Sequence, residues 1–176
     1  TTHTWIGGSG NWSDTSHWDT GLVPAATDNV LITGSGTYTV TLDVDTAIAD
    51  ITLGANSGRQ TLSMSYRRLT INGTATIYDS GRVTLVSGNL NGSGSLINYG
   101  YFSMIIGNLD LPFDNAGFAS FSRTCNISNT LTTQPGSTLR IYTEHYNPAT
   151  ITVANGFTNN GLLQFVTVVQ NAYARL

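Results

Sequence analysis

Asn98-Tyr99-Gly100-Tyr101-Phe102-Ser103-Met104 is followed seventeen residues later by Asn115-Ala116-Gly117-Phe118-Ala119-Ser120-Phe121. Each stretch has a polar amide, one variable residue, a glycine, and then a run whose second and fourth members are apolar. Alternation with a period of two describes a strand with one buried face. Further copies lie on both sides. Asn159-Asn160-Gly161 precedes Leu162-Leu163-Gln164-Phe165, Asp79-Ser80-Gly81 precedes Arg82-Val83-Thr84-Leu85, and Asn56-Ser57-Gly58 precedes Arg59-Gln60-Thr61-Leu62. Gln134-Pro135-Gly136 and Gly34-Ser35-Gly36 are weaker copies.

The seven glycines, at 36, 58, 81, 100, 117, 136 and 161, are spaced by 22, 23, 19, 17, 19 and 25 residues. A loose period near twenty with strand alternation predicts stacked coils, because one coil of short strands cannot bury its apolar face alone. The expected fold is all-β: a right-handed parallel β-helix (β-solenoid) of about seven coils, with the handedness resting on the general preference for right-handed crossovers. Glycine at the corner admits positive φ, and stacked Asn side chains there can form ladders along the axis.

The facing follows from the glycine. Tyr38 and Val40, Val83 and Leu85, Phe102 and Met104, Ala119 and Phe121, and Leu163 and Phe165 are expected to point inward, with Gln60 as an exception. The residues directly after glycine form an outward stripe of Arg59, Arg82, Tyr101 and Phe118. Two residues further on, a polar stripe runs through Thr39, Thr61, Thr84, Ser103, Ser120 and Gln164.

Residues 1–28 do not repeat, and they contain all three tryptophans, Trp5, Trp12 and Trp18. They are expected to cap the N-terminal end of a solenoid spanning 29–176, since an uncovered end exposes core and backbone edges. No comparable cap is evident at the other end. Two partners are therefore expected there: further coils of the same chain or self-association. Thr1-Thr2-His3-Thr4 reads as a mature or trimmed start.

Composition narrows the function. The chain has 176 residues, seven Arg, no Lys, nine Asp and one Glu, and a net charge of −3. With a pI near 5.3 it has no broad basic surface for phosphates, so nucleic acid is not an expected partner. No apolar run approaches the roughly twenty residues that span a bilayer, so no membrane insertion is expected. Cys125, the only cysteine, reads as a small buried hydrophobe. His3, His17 and His145 lie in no metal-ligand spacing, and Asp43, Asp45 and Asp50 read as turn-formers. Neither metal nor cofactor is expected. Glycan hydrolysis on such a scaffold requires clustered carboxylates, which are scarce here.

Trp5, Asn11-Trp12-Ser13-Asp14, Trp18, Val23-Pro24, Asp28-Asn29-Val30 and Ile32 resemble the opening of bacterial extracellular β-solenoid proteins of the autotransporter and adhesin type. With Val40-Thr41-Leu42-Asp43, the stretch is also similar to the G8 module of surface proteins. The resemblance implies an extracellular address and a role in adhesion, scaffolding or polysaccharide contact, with no catalytic residue carried over.

The expectation is a non-catalytic structural or adhesive module. The alternative is a polysaccharide-binding module, and a polysaccharide-degrading enzyme ranks third. The candidate ligand-binding residues are Arg59, Arg82, Tyr101 and Phe118 on the stripe, and Tyr142, Glu144, His145 and Tyr146 in the longest interval between glycines. Aromatic rings and planar guanidinium groups suit sugars and acidic sugars. Asn11, Asn72, Asn91 and Asn126 head Asn-x-Ser/Thr sequons that matter if the source cell glycosylates.

Overall fold

A computed structural model describes residues 1–143, 147–167 and the backbone of 174–175. The chain is a parallel β-solenoid of about six turns, with almost no helix. Each coil has three faces. The first face carries the strand that follows each marker glycine. The second continues from it after a bend. The third is an eight-stranded sheet, and the first two belong to a twelve-stranded sheet. They are joined because Gly81–Asn91, Tyr101–Leu109 and Phe118–Ile127 each run across the bend. Apart from an isolated antiparallel bridge between Trp5 and Trp18, every strand pairing among the described residues is parallel, as for Val83↔Phe102 on the first face, Leu90↔Leu109 on the second and Leu96↔Phe113 on the third. Seven glycines overcount the turns because Gly161 only opens a further coil, whose first-face strand is Leu162–Thr167.

The inward residues form one continuous core. Val40, Leu85, Phe102, Met104, Ala119 and Phe121 are fully buried. Phe102 meets Phe113 at 5.0 Å and Phe121 at 5.8 Å between ring centroids. On the last first-face strand Leu163 is only partly buried and Phe165 is 51% exposed, because no described first-face strand lies beyond it.

Asn98 and Asn115 are buried at successive rungs of the corner between the third and first faces. Asn98 Nδ2 donates to Asn115 Oδ1 (2.7 Å) and to the Phe118 carbonyl (3.0 Å), and Asn115 Nδ2 donates to the Thr138 carbonyl (3.1 Å). Thr133 takes the next rung and donates to Asn159 (2.6 Å). Asn98 Oδ1 is left unpaired, since the preceding rung holds Ile77.

Two expectations about this corner need correction. Asn56 and Gln134 do not extend the ladder, because Leu53 and Thr133 hold the corresponding inward rungs. Gln60 is no exception to the inward pattern. It pairs with Tyr38 and is buried, and its side chain fastens the turn. Nε2 donates to the Gly36 (2.6 Å) and Ser57 (3.0 Å) carbonyls, while Oε1 accepts from Ala55 N (2.8 Å) and lies 2.9 Å from Ser80 Oγ.

The bend between the first and second faces carries a glycine in two coils only, at Gly88 and Gly107, which pair with each other. In four central coils it is made by one left-handed residue: Tyr66, Ser87, Ile106 and Arg123, with φ between 53° and 59°. Positive φ is uncommon outside glycine, above all for a β-branched residue such as Ile106.

The tryptophans lie in the N-terminal region, and all three are buried. Trp18 packs edge-to-face on Trp5 (5.0 Å) and Trp12 (4.9 Å). The region also joins the stack: Thr2–Thr4 pairs with the third face and Gly10–Asn11 with the first. Asp43 accepts from Ser13 N and Oγ, Asp45 from Arg68 N and Asp50 from Thr74 N, so these carboxylates tie turns to backbone.

Cys125 is buried on the second face, and burial pushes its thiol pKa up to about 12. A group raised in the folded state adds stability that is intact below its ordinary value and is lost as pH rises toward the folded value. Native protein at pH 8 is therefore expected to resist iodoacetamide, and protein in denaturant to label fully. Rapid native labelling would show that the second face opens there.

Candidate functional site

The outward rows of the first face are fixed by register. Thr39, Thr61, Arg82, Tyr101, Phe118 and Thr138 form one row, and Thr41, Ser63, Thr84, Ser103, Ser120 and Arg140 the next. Val86, Ile105, Ser122 and Tyr142 form a third. Arg59 does not continue the Arg82 stripe. It pairs with Thr37, two residues out of step, because Gly81 pairs with Gln60 rather than Gly58.

Arg82, Tyr101, Phe118 and Arg140 pack into one ladder. The Arg82 guanidinium carbon lies 3.8 Å from the Tyr101 ring centroid. Tyr101 stacks on Phe118 (5.2 Å, 14° between planes), and Arg140 lies 4.8 Å from the Phe118 centroid. The rings thus spend their faces on one another and on the guanidinium groups, which removes the expected open face for sugar stacking. Beside the ladder lies a groove of about 460 Å³ floored by Thr84, Ser103 and Ser120, with Val86, Ile105 and Tyr142 across from Arg82 and Tyr101 and with Arg140 also lining it.

The electrostatics of this face are one-sided. Its strands, including Gly36–Leu42, Gly58–Ser65, residues 81–86, residues 118–122 and Thr138–Thr143, carry Arg59, Arg82 and Arg140 and no carboxylate. Among the described residues no Arg lies within 4 Å of a carboxylate. Arg140 donates to Gln164 Oε1 at 3.1 and 3.2 Å. Arg82 has no hydrogen-bond acceptor among the described residues, and its N–H groups remain available at the groove wall.

Of the longest glycine interval, Tyr142 lines the groove, while Glu144, His145 and Tyr146 lie outside the described residues. The buried tryptophans offer no face to a ligand. Among the sequons, Asn11, Asn72 and Asn126 are exposed and Asn91 is half-buried. Asn126 Nδ2 donates to Asn108 Oδ1 (3.1 Å), and Asn91 accepts from Thr70 (2.7 Å).

Sequence reading missed one constellation, which only the fold assembles. Thr20 Oγ1 lies 2.6 Å from His3 Nδ1, and His3 Nε2 lies 3.2 Å from Asp28. The order hydroxyl, imidazole, carboxylate has the form of a nucleophilic triad. His3 is buried, however, and its Nδ1 also lies 3.1 Å from the Leu22 carbonyl, so the ring ties down the 20–22 turn. No group of three His, Cys, Asp or Glu able to hold a metal occurs among the described residues.

No protein-family profile, curated protein or solved structure matches this chain.

Proposed function

We propose that this chain is a non-catalytic adhesive module of an extracellular surface or fibre protein, and that its first face holds an anionic polysaccharide along the solenoid axis. The observation that carries the reading is the charge separation. A chain of net charge −3 places three arginines and no carboxylate on one face. There Arg82 has no carboxylate within 4 Å and stands beside a hydroxyl-floored groove, with Asp79 at the corner lining a neighbouring depression with it. Guanidinium groups bind carboxylate and sulfate oxygens through paired N–H bonds, and the row of hydroxyls suits the sugar hydroxyls between them. Coils stack at about 4.8 Å, so Arg82 and Arg140, three coils apart, are separated by roughly 14 Å along the axis. That spacing favours a polymer over a small molecule.

The groove lining has no carboxylate, so the paired-carboxylate route of glycoside hydrolysis has no residues there. Continuation of the stack by further coils or a second copy is supported by the half-exposed inward ring of Phe165.

Affinity electrophoresis in gels containing polygalacturonate, alginate, heparin or neutral dextran tests the reading. Retardation is expected in at least one acidic gel, weakening as salt rises, with none in dextran. Arg82→Gln is expected to weaken binding about tenfold, the scale of one charge-assisted hydrogen bond. Equal mobility in every gel would overturn the reading. Release of reducing or unsaturated ends during incubation would overturn its non-catalytic part.

A further inference from the structure

A second aromatic pair lies away from that ladder, at the corner between the third and first faces. Ile77 pairs with Asn98, which brings the next residues, Tyr78 and Tyr99, into line. Their rings stack at 6.1 Å with 13° between planes, yet Tyr78 is 50% and Tyr99 47% exposed. Tyr99 covers the side of Tyr78 toward the following coil. On the opposite side the corresponding position is Gly54, since Leu53 pairs with Ile77. No side chain fills that space. Gly54 has φ +121°, and a Cβ there would sit 3.0 Å from both Tyr78 Cβ and the Gly81 nitrogen, so the site itself disfavours any side chain.

An open depression of about 550 Å³ occupies the space, bounded by Tyr78 with Thr52, Asn56, Asp79 and Ser80. Its base is fixed. Ser80 Oγ donates to the Ala55 carbonyl (2.6 Å) and accepts from Ala55 N (2.7 Å), which is also held by Gln60. The Asp79 carboxylate and the Asn56 amide, by contrast, have no partner among the described residues.

We infer that this corner is a separate binding site for the flat C–H face of a neutral pyranose. An aromatic ring with one open face supplies the apolar platform, and a carboxylate, an amide and hydroxyls at its rim supply partners for sugar hydroxyls. Asp79 disfavours uronates and sulfated sugars, the class proposed for the first face, on the Tyr78 side, while its other side borders Arg59 and Arg82 in an adjoining depression. An ammonium ion would also suit Tyr78 with Asp79, but cation recognition of that kind uses several aromatic faces, and here one ring face meets mainly neutral hydrogen-bonding groups. The site stands on its own residues whether or not the first face binds an acidic polymer.

Saturation-transfer NMR with methyl glucoside, methyl galactoside, cellobiose and tetramethylammonium tests the inference on wild type, Tyr78→Ala, Tyr78→Phe, Asp79→Asn and Arg82→Gln. Irradiating the aromatic protons is expected to saturate the ring C–H protons of one face of a neutral pyranose. Tyr78→Ala should abolish that transfer, Asp79→Asn should reduce it, and Tyr78→Phe and Arg82→Gln should keep it. Tyr78 is half-exposed, so its truncation leaves the core intact, which the dispersion of the core methyl signals checks. Transfer to no neutral sugar, transfer that survives Tyr78→Ala, or transfer to tetramethylammonium alone would each overturn the inference.

Discussion

Replacing Gly117 by alanine is expected to disrupt the central coils. A Cβ at this position would lie 2.3 Å from the Tyr99 carbonyl oxygen and 2.5 Å from that of Gly100. These are main-chain atoms of the preceding coil, so no side chain can move aside. The coils must part locally, and the Phe118 N bond to the Gly100 carbonyl (2.9 Å) is strained with them. Overpacking in yielding cores costs about 1–3 kcal/mol, and a backbone clash in a stack belongs at or above that range. Gly136→Ala is the control. Nothing lies within 4 Å of its Cβ, so only its φ of +86° opposes alanine, at about 1 kcal/mol. In a solenoid, stability sums over neighbouring coils, so the damage should stay near the middle of the stack. All three tryptophans sit near the N-terminal end, so fluorescence reports that end alone. In denaturant, far-UV circular dichroism of Gly117→Ala should fall before tryptophan fluorescence does. Coincident curves matching wild type would show that the corner yields without cost.

This comparison explains why the fold was legible and part of its reasoning was not. The sequence pointed to glycine at the corner through positive φ, yet Gly81, Gly100, Gly117 and Gly161 do not have it; Gly36, Gly58 and Gly136 do. At the first four, a neighbouring coil occupies the place of a side chain. Both causes leave the same letter in the chain, so the period survives the wrong reason. The bend between the first and second faces leaves only a partial trace, a glycine after the left-handed residue at 88 and 107 but not in the other two coils. Tyr66, Ser87, Ile106 and Arg123 share only a backbone conformation.

The candidate site was half legible for a related reason. Alternation told which residues face outward, so Arg82, Tyr101 and Phe118 were correctly grouped. Their spacing from glycine could not tell that Gly58 and Gly81 are out of register, which puts Arg59 in a different row. Nor does a one-dimensional pattern show rings turned face to face. That turn moves the chemistry from aromatic faces to guanidinium N–H groups and hydroxyls, and so from stacking on sugars toward pairing with anions. The Tyr78 corner was invisible, since its open ring face is created by the missing side chain of Gly54 one coil away.

Asn115→Leu is expected to destabilise the protein by about 1–2 kcal/mol, although the two side chains are similar in size and the site is fully buried. The leucine gains transfer energy, but the Thr138 carbonyl loses its amide donor and keeps only its ladder partner, and Asn98 Nδ2 loses its 2.7 Å acceptor while keeping the Phe118 carbonyl. Each hydrogen bond lost costs about 0.5–1.5 kcal/mol net, and here the losses fall on both neighbouring coils. Asn115→Asp separates shape from hydrogen bonding. It keeps the acceptor for Asn98 but sets a carboxylate oxygen against the Thr138 carbonyl, so the folded state favours the protonated acid. Its folded pKa then lies above the unfolded value. The variant should be most stable below about pH 4, where both states are protonated, and should lose stability as pH rises through the folded value. Urea denaturation of both variants at pH 4 and pH 7 checks this. If the leucine variant matched wild type, the Asn ladder would be a consequence of the stacking rather than a cause of it, and the corner glycines would carry the register alone.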